Sequence, residues 1–309
     1  LRGFVLLGIL VMNIQSFSMP IAAYANPTAY GDLTGANLWV WIVSHVLFDQ
    51  KFMAVFAMLF GAGIVLMSAR AGEDAARLHH RRMAWLVVFG LLHAYLFWYG
   101  DILYTYALCG FAAFACRDRT PGFLAAAALA LLMAGAAVPF ALGSTLSPEA
   151  LAEVRDEAWR PTTAVIQAEI DAYRGGVASQ LRRRVPEALE FQTVGFLLLG
   201  WRVLGLMLLG MALFKLGVLT AALGAPVFAA LALGGFAIGL PLVIHGMREQ
   251  FAHGWSVEYS LFFGSLWNYW GSVFVARGYT GLVVGSVRAR RVPRVTARLA
   301  SVGRLPCSN

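Results

Sequence analysis

The chain has 309 residues, of which 60% are hydrophobic and only 13% charged, against about 45–50% and about 25% in soluble domains. Its mean hydropathy is +0.69. That composition excludes an ordinary water-soluble domain, because so little polar side chain cannot cover the surface of a chain this long. The net charge of +8 does not point to nucleic acid, since no basic stripe with interleaved aromatics lies outside the apolar runs. Lys and Arg collect instead where a membrane protein keeps its cytoplasmic loops.

A membrane-crossing helix needs about 20 apolar residues. The first such run extends from Arg2 to Phe17, and a loop with Pro20, Pro27, Gly31 and Gly35 follows. Leu38 to Met67 is long for one crossing and is interrupted at Asp49, Gln50 and Lys51. It is either one tilted helix or an interfacial helix followed by a span. Met83 to Tyr99, Ile102 to Ala115 and Phe123 to Leu142 come next, then Phe191 to Phe214, Val227 to His245 and Val257 to Val287. The expected fold is an all-α, polytopic transmembrane bundle with about eight spans. The chain opens inside an apolar run at Leu1 and stops at Asn309 after a basic stretch, so it reads as a single transmembrane domain, 1–309, cut at both ends.

With the N-terminus in the cytoplasm, about 13 of the 24 Lys and Arg residues fall in inner segments, as the positive-inside rule requires. Residues 143–190 then form a long extracytoplasmic insert. Ser147-Pro148-Glu149 has the signature of an N-cap, a Pro at the first helical position and an acidic first turn. Amphipathic helices are expected there, as a solvated connector or as a lid over an outward-opening cavity.

Ionisable groups inside spans are costly and mark candidate sites. Arg202 lies mid-span and needs an ion pair, carbonyls, water or an anionic ligand. His93 is placed near mid-membrane by its distance from Arg82 and suits a general base or proton relay. Asp101 follows Gly100 as an N-cap, with Tyr104 on its helix face. Helical rise puts His93 and Asp101 about 12 Å apart, near enough to reach one cavity. His45 and Asp49, four residues apart, form a weaker candidate pair, with Lys51 beside them. Two ligands do not make a metal site, so no metal is expected. Asn13 and Arg2, in or at the edge of the first span, complete the candidate substrate contacts. Gly61, Gly63, Gly205 and Gly210 fit close helix approach, and no nucleotide-binding loop is present. Cys109 and Cys116 read as small core residues, and with Cys307 they form no zinc or disulfide pattern.

Several stretches resemble the YeiB-like family of bacterial inner-membrane proteins. They are Leu1-Arg2-Gly3-Phe4 with Met12-Asn13-Ile14, Lys51-Phe52 through Gly61-Ala62-Gly63, and Gly90-Leu91-Leu92-His93 with Trp98-Tyr99-Gly100-Asp101. Trp201-Arg202 with Gly210-Met211-Ala212, and Arg298-Leu299 through Gly303-Arg304, continue the match. The opening Leu-Arg-Gly helix is also similar to membrane acyltransferases, which transfer acyl groups from acyl-CoA to extracytoplasmic acceptors. In one branch of that group a catalytic His sits in the loop after the first helix. Here Ser18 to Ala36 contains no His, so His93 or His45 would have to serve.

The resemblance implies an inner-membrane enzyme in the bilayer, with acyl-CoA as donor, a small-molecule acceptor and no nucleic-acid partner. Arg202 and the inner basic loops would hold the donor. The alternative is a secondary transporter of a small anionic metabolite, with Arg202 binding it and His93 and Asp101 relaying protons.

Overall fold

The computed structural model describes residues 1–289 and residue 298. Among them every regular element is helical, as expected where lipid offers the backbone no hydrogen bonds. Helix α1 spans Arg2–Ser18 and the short α2 Ile21–Ala25. The long second run resolves into two helices, α3 (Gly35–Leu47) and α4 (Lys51–Ala71). They are separated where Gln50 takes a left-handed φ of 61°, so the chain breaks at its three consecutive polar residues. Gly72, with φ 55°, permits the tight return into α5 (Ala75–Leu96). Helices α6 (Leu103–Ala115) and α7 (Pro121–Thr145) follow. Cys109 is buried between helices and Cys116 partly so.

The segment after α7 is helical throughout. Ser147 Oγ accepts from the Ala150 amide at 3.2 Å and caps α8 (Pro148–Val154). A π-helical turn, Arg155–Trp159, leads to α9 (Thr163–Arg174), and Gly175 ends it. Helix α10 (Val177–Glu190) passes through a second π turn, Phe191–Gly195, straight into α11 (Phe196–Lys215). Then come α12 (Ala225–Ala252), α13 (Val257–Tyr259), a third π turn (Ser260–Gly264) and α14 (Ser265–Arg288). The basic tail around Arg290, Arg294 and Arg304, with Cys307, lies outside the described residues.

Four helical stretches are long and apolar enough to cross a membrane: Gly35–Leu96, Pro121–Thr145, Val177–Lys215 and Ala225–Ala252. The first contains α3, α4 and α5 and so makes more than one pass. Arg2–Ser18 and Leu103–Ala115 are apolar but shorter. Outward faces carry large apolar side chains such as Leu233, Val40, Trp39 and Leu197, each more than 60% exposed. Water would not tolerate that surface on a monomer, whereas lipid solvates it. The chain is an integral membrane protein.

Helices α4 and α11 form the centre. They run antiparallel, and glycines bring their backbones together: a Cβ on Gly61 would fall on the Met207 carbonyl, and one on Gly210 on the Met58 carbonyl. The α12–α14 pair is built the same way, with Gly235 against Gly278 and Gly239 against the Gly271 carbonyl. Small residues at such contacts let dispersion act between backbones, which is what holds helices together in lipid. Gly63 differs, since a Cβ there would meet only Arg2 Nη2, at 3.6 Å.

Gly61→Val and Gly210→Val should therefore each cost about 3 kcal/mol, the upper part of the overpacking range. Gly63→Ala should be neutral or stabilising by up to about 1 kcal/mol through helix propensity. Melting of the purified protein in detergent checks both, and an equal loss in Gly63→Ala would contradict the assignment.

Candidate functional site

The polar residues gather in two groups at the end of the bundle that carries α8, α9 and α10. The first centres on the α3–α4 break. Lys51 begins α4 and is fully buried. Its Nζ donates to the His45 carbonyl at 2.5 Å and to Asn268 Oδ1 at 2.6 Å. Asn268 Nδ2 donates in turn to Asp49 Oδ2 at 2.7 Å. The same Asp49 oxygen lies 3.4 Å from His45 Nδ1. Asn268, from α14, thus bridges ammonium and carboxylate. Asn268 is missing from the sequence reading, although a lone amide between Trp267 and Tyr269 in an apolar helix is a signal of its own.

Arg202 points into the bundle. Nη1 donates to the Tyr269 carbonyl at 2.8 Å and Nη2 to Ser272 Oγ at 2.6 Å. The guanidinium lies 4.2 Å from the Tyr269 ring centroid. No carboxylate is hydrogen-bonded to it among the described residues. A carbonyl, a hydroxyl and an aromatic face stabilise the charge instead.

A cavity of about 200 Å³ lies on this group, lined by His45, Asp49, Asn268, Gln15 and Gln250, with Tyr24, Trp41, Trp159 and Trp255 as aromatic walls. Neither Lys51 nor Arg202 lines it.

The second group is the His93–Asp101 pair. Asp101 Oδ1 accepts from the Leu103 and Tyr104 amides at 2.8 and 3.2 Å, capping α6. Its Oδ2 lies 2.7 Å from His93 Nδ1. Asp101 is 2% exposed, while the His93 side chain is 43% exposed. Burial pushes the Asp101 carboxyl up, and the two amides and His93 pull it back down. The loop 97–102 folds the chain back, so groups separated by 12 Å of helical rise come into contact. His93 occupies the last turn of α5, not the middle of a span, because α5 begins eight residues before the apolar run does. Gly90 makes the close approach possible, since a Cβ there would press on the Tyr104 amide nitrogen at 2.6 Å.

A second cavity, of about 420 Å³, lies beside this pair and under the insert, lined by Phe17, Trp98, Tyr99, Glu169, Tyr173 and Arg184 among others. Trp98 stands between cavity and pair, its ring edge-on to His93 at 6.3 Å. The insert is tied down here. Arg184 Nη1 donates to the Leu96 carbonyl at 2.6 Å, and Glu169 Oε1 accepts from the Ile21 amide at 2.8 Å. Burial pushes the Glu169 carboxyl up, and the Ile21 amide and Arg183 draw it down. Neither Glu169 nor Arg184 stands out in the sequence, because both sit among many solvated charges.

The remaining candidates do not converge on one site. Tyr104 contributes its amide to the Asp101 cap. The Asn13 side chain has no hydrogen-bond partner among the described residues, and only its carbonyl is engaged, by Ser16 Oγ at 3.1 Å. Arg2 lies near Gly63. None of Arg2, Asn13, Tyr104 or Arg202 lines either cavity.

Asn268→Leu should destabilise the protein by about 3–5 kcal/mol, because it strands a buried ammonium beside a carboxylate. Adding Lys51→Met should recover part of that loss, since it removes the stranded charge. Denaturation of the two variants measures the difference. A double variant less stable than Asn268→Leu alone would contradict the bridge.

A family profile described as "protein of unknown function (DUF418)" matches residues 213–309. The chain is 28% identical over 311 residues to "uncharacterized protein YeiB" of Escherichia coli (strain K12), covering 100% of this chain and 78% of that protein. It is 33% identical over 156 residues to "uncharacterized protein YxaH" of Bacillus subtilis (strain 168), which takes in 47% of this chain and 37% of that one. A 39.9 kDa protein of Bacillus acidopullulyticus is 36% identical over 114 residues, 30% of its length. No solved structure matches. The chain is thus similar to YeiB over its whole length, and its C-terminal third matches the DUF418 profile.

Proposed function

We propose that this membrane protein is an enzyme that transfers an acyl group to a hydroxyl acceptor, with His93 as general base and Asp101 as the group that orients it. The carrying observation is the 2.7 Å contact between His93 Nδ1 and a buried carboxylate whose other oxygen is fixed by two amides. A carboxylate so held keeps the proton on Nδ1 and leaves Nε2 as the acceptor nitrogen. It also stabilises the imidazolium that forms. Asp101 is therefore a positioning residue.

In the step, Nε2 takes the acceptor's hydroxyl proton as its oxygen bonds to the acyl carbon. The thioester C–S bond of an acyl-CoA donor then breaks, and the imidazolium returns the proton to the leaving sulfur. The His93 side chain is 43% exposed, which leaves room for the acceptor's hydroxyl to approach it. The resemblance to acyl-CoA-dependent membrane enzymes supports the same reading. Transport, which relies on Arg202 as the substrate contact, draws no support from an arginine whose hydrogen bonds are all internal.

Membranes carrying the full chain should release free thiol from acetyl-CoA above the level of control membranes. His93→Gln should lower that rate about 10²–10⁴-fold, and Asp101→Asn should lower it while leaving the protein folded, as the wrong tautomer then prevails. Thiol release that His93→Gln leaves intact, or no release above background, would refute the proposal.

A further inference from the structure

The cavity at the α3–α4 break presents polar groups that the acyl-transfer reading does not use. Gln250, near the end of α12, lines it and is only 7% exposed. Its side-chain amide makes no hydrogen bond among the described residues, and neighbouring atoms do not seal it off, as they do the Trp255 indole nitrogen and the Ser260 hydroxyl. An amide so deeply buried and yet open faces the space its residue lines. Left unsatisfied it would cost about 1–3 kcal/mol. Gln15 of α1 lines the same cavity, and its amide also has no partner among the described residues.

Asp49 gives the same indication. Its Oδ2 accepts from Asn268 Nδ2 at 2.7 Å and lies 3.4 Å from His45 Nδ1. Its Oδ1 has no hydrogen-bond partner among the described residues. A carboxylate at membrane depth with an oxygen to spare marks a functional position. The cavity of about 200 Å³ far exceeds the ~10–15 Å³ that one water requires.

The wall selects the ligand. Neither Lys nor Arg lines the cavity. At pH 8 an imidazole of ordinary pKa, about 6.5, is uncharged, so with His45 neutral Asp49 is the one charge on the wall. Lys51 bonds to the other end of the Asn268 amide. A group that touches Asp49 is therefore nearer to the carboxylate than to that ammonium, and attraction prevails. An anion is repelled, and a neutral molecule leaves the carboxylate without a counter-charge. A hard divalent cation takes six or more oxygens, whereas much of this wall is indole, from Trp41, Trp159 and Trp255. Aromatic faces attract organic cations. A primary ammonium also brings N–H donors for Asp49 and for the Gln15 and Gln250 carbonyl oxygens, and a quaternary one brings none.

We infer that this cavity binds a small organic molecule through a primary ammonium group, with Asp49 as its charged contact and Gln250 as its neutral one. The site is separate from the His93–Asp101 pair, and the inference does not rest on acyl transfer.

The test is intrinsic tryptophan fluorescence of the full chain in lipid nanodiscs at pH 8. Ethanolamine, ethylene glycol, glycolate and choline are titrated separately. Ethanolamine should change the signal saturably. Ethylene glycol and glycolate, of the same size but neutral and anionic, should not, and choline should bind at least about tenfold more weakly. Asp49→Asn should weaken ethanolamine binding about 10–100-fold, as for a hydrogen bond between charged groups. Gln250→Leu should weaken it about tenfold and leave the melting temperature unchanged, because that side chain bonds to nothing in the protein. Glu258→Gln, an exposed carboxylate on α13, should leave affinity unchanged. The inference is overturned if ethanolamine gives no saturable change at tens of millimolar, or if ethylene glycol, glycolate or choline binds as tightly. It is overturned equally if either Asp49→Asn or Gln250→Leu binds ethanolamine as the wild type does.

Discussion

A buried lysine organises one half of this molecule. Lys51 sits at the first residue of the central helix with no exposure, in a bundle where neither lipid nor bulk water can solvate it. Its ammonium needs oxygens, and two are supplied: the His45 carbonyl from the end of α3 and the Asn268 amide from α14. Satisfying it therefore fixes three helices relative to one another. The break between α3 and α4 leaves carbonyls unused by the helical ladder, and Lys51 takes up one of them. Asp49 is held by the same asparagine. The polar interruption in a long apolar run is thus a joint rather than a flaw.

The same rule explains where the cavities lie. Irregular backbone at membrane depth is tolerated only where it is buried in protein or lines a polar cavity. The left-handed residues Gln50 and Trp255 and two of the π turns meet at one cavity. Elsewhere the central helices pack through glycine contacts that leave no room for a ligand. Polar chemistry is in this way confined to the end of the bundle where helices stop, bend or hand over to the insert.

Much of this was legible in the sequence. Apolar runs marked the helices, and the glycine pairs marked close approach, except at Gly63, where position rather than residue type decides. Asp101 was legible as a cap, and His93 as a costly residue. Their contact was not, because it depends on the reversal over residues 97–102 and on Gly90, and helical rise alone set them about 12 Å apart. Asn268 carried a signal as an amide in an apolar helix, but its role was not legible, because its partners Lys51 and Asp49 lie more than two hundred residues away. Arg202 was the strongest signal by type. Its stabilisation came from a carbonyl, a hydroxyl and a ring, none of which a search for an opposite charge would find.

The insert has more to do than connect two helices. A solvated connector would hold its charges in water, with few bonds to the bundle. Here the Asn26 side chain donates to the Trp159 carbonyl at 2.9 Å, and the Trp159 indole donates to the Trp255 carbonyl at 2.8 Å. Arg184 and Glu169 reach α5 and α2. The insert therefore supplies a wall residue, Trp159, to one cavity and several to the other. Because α10 runs without a break into α11, it is also mechanically continuous with the central helix that carries Arg202.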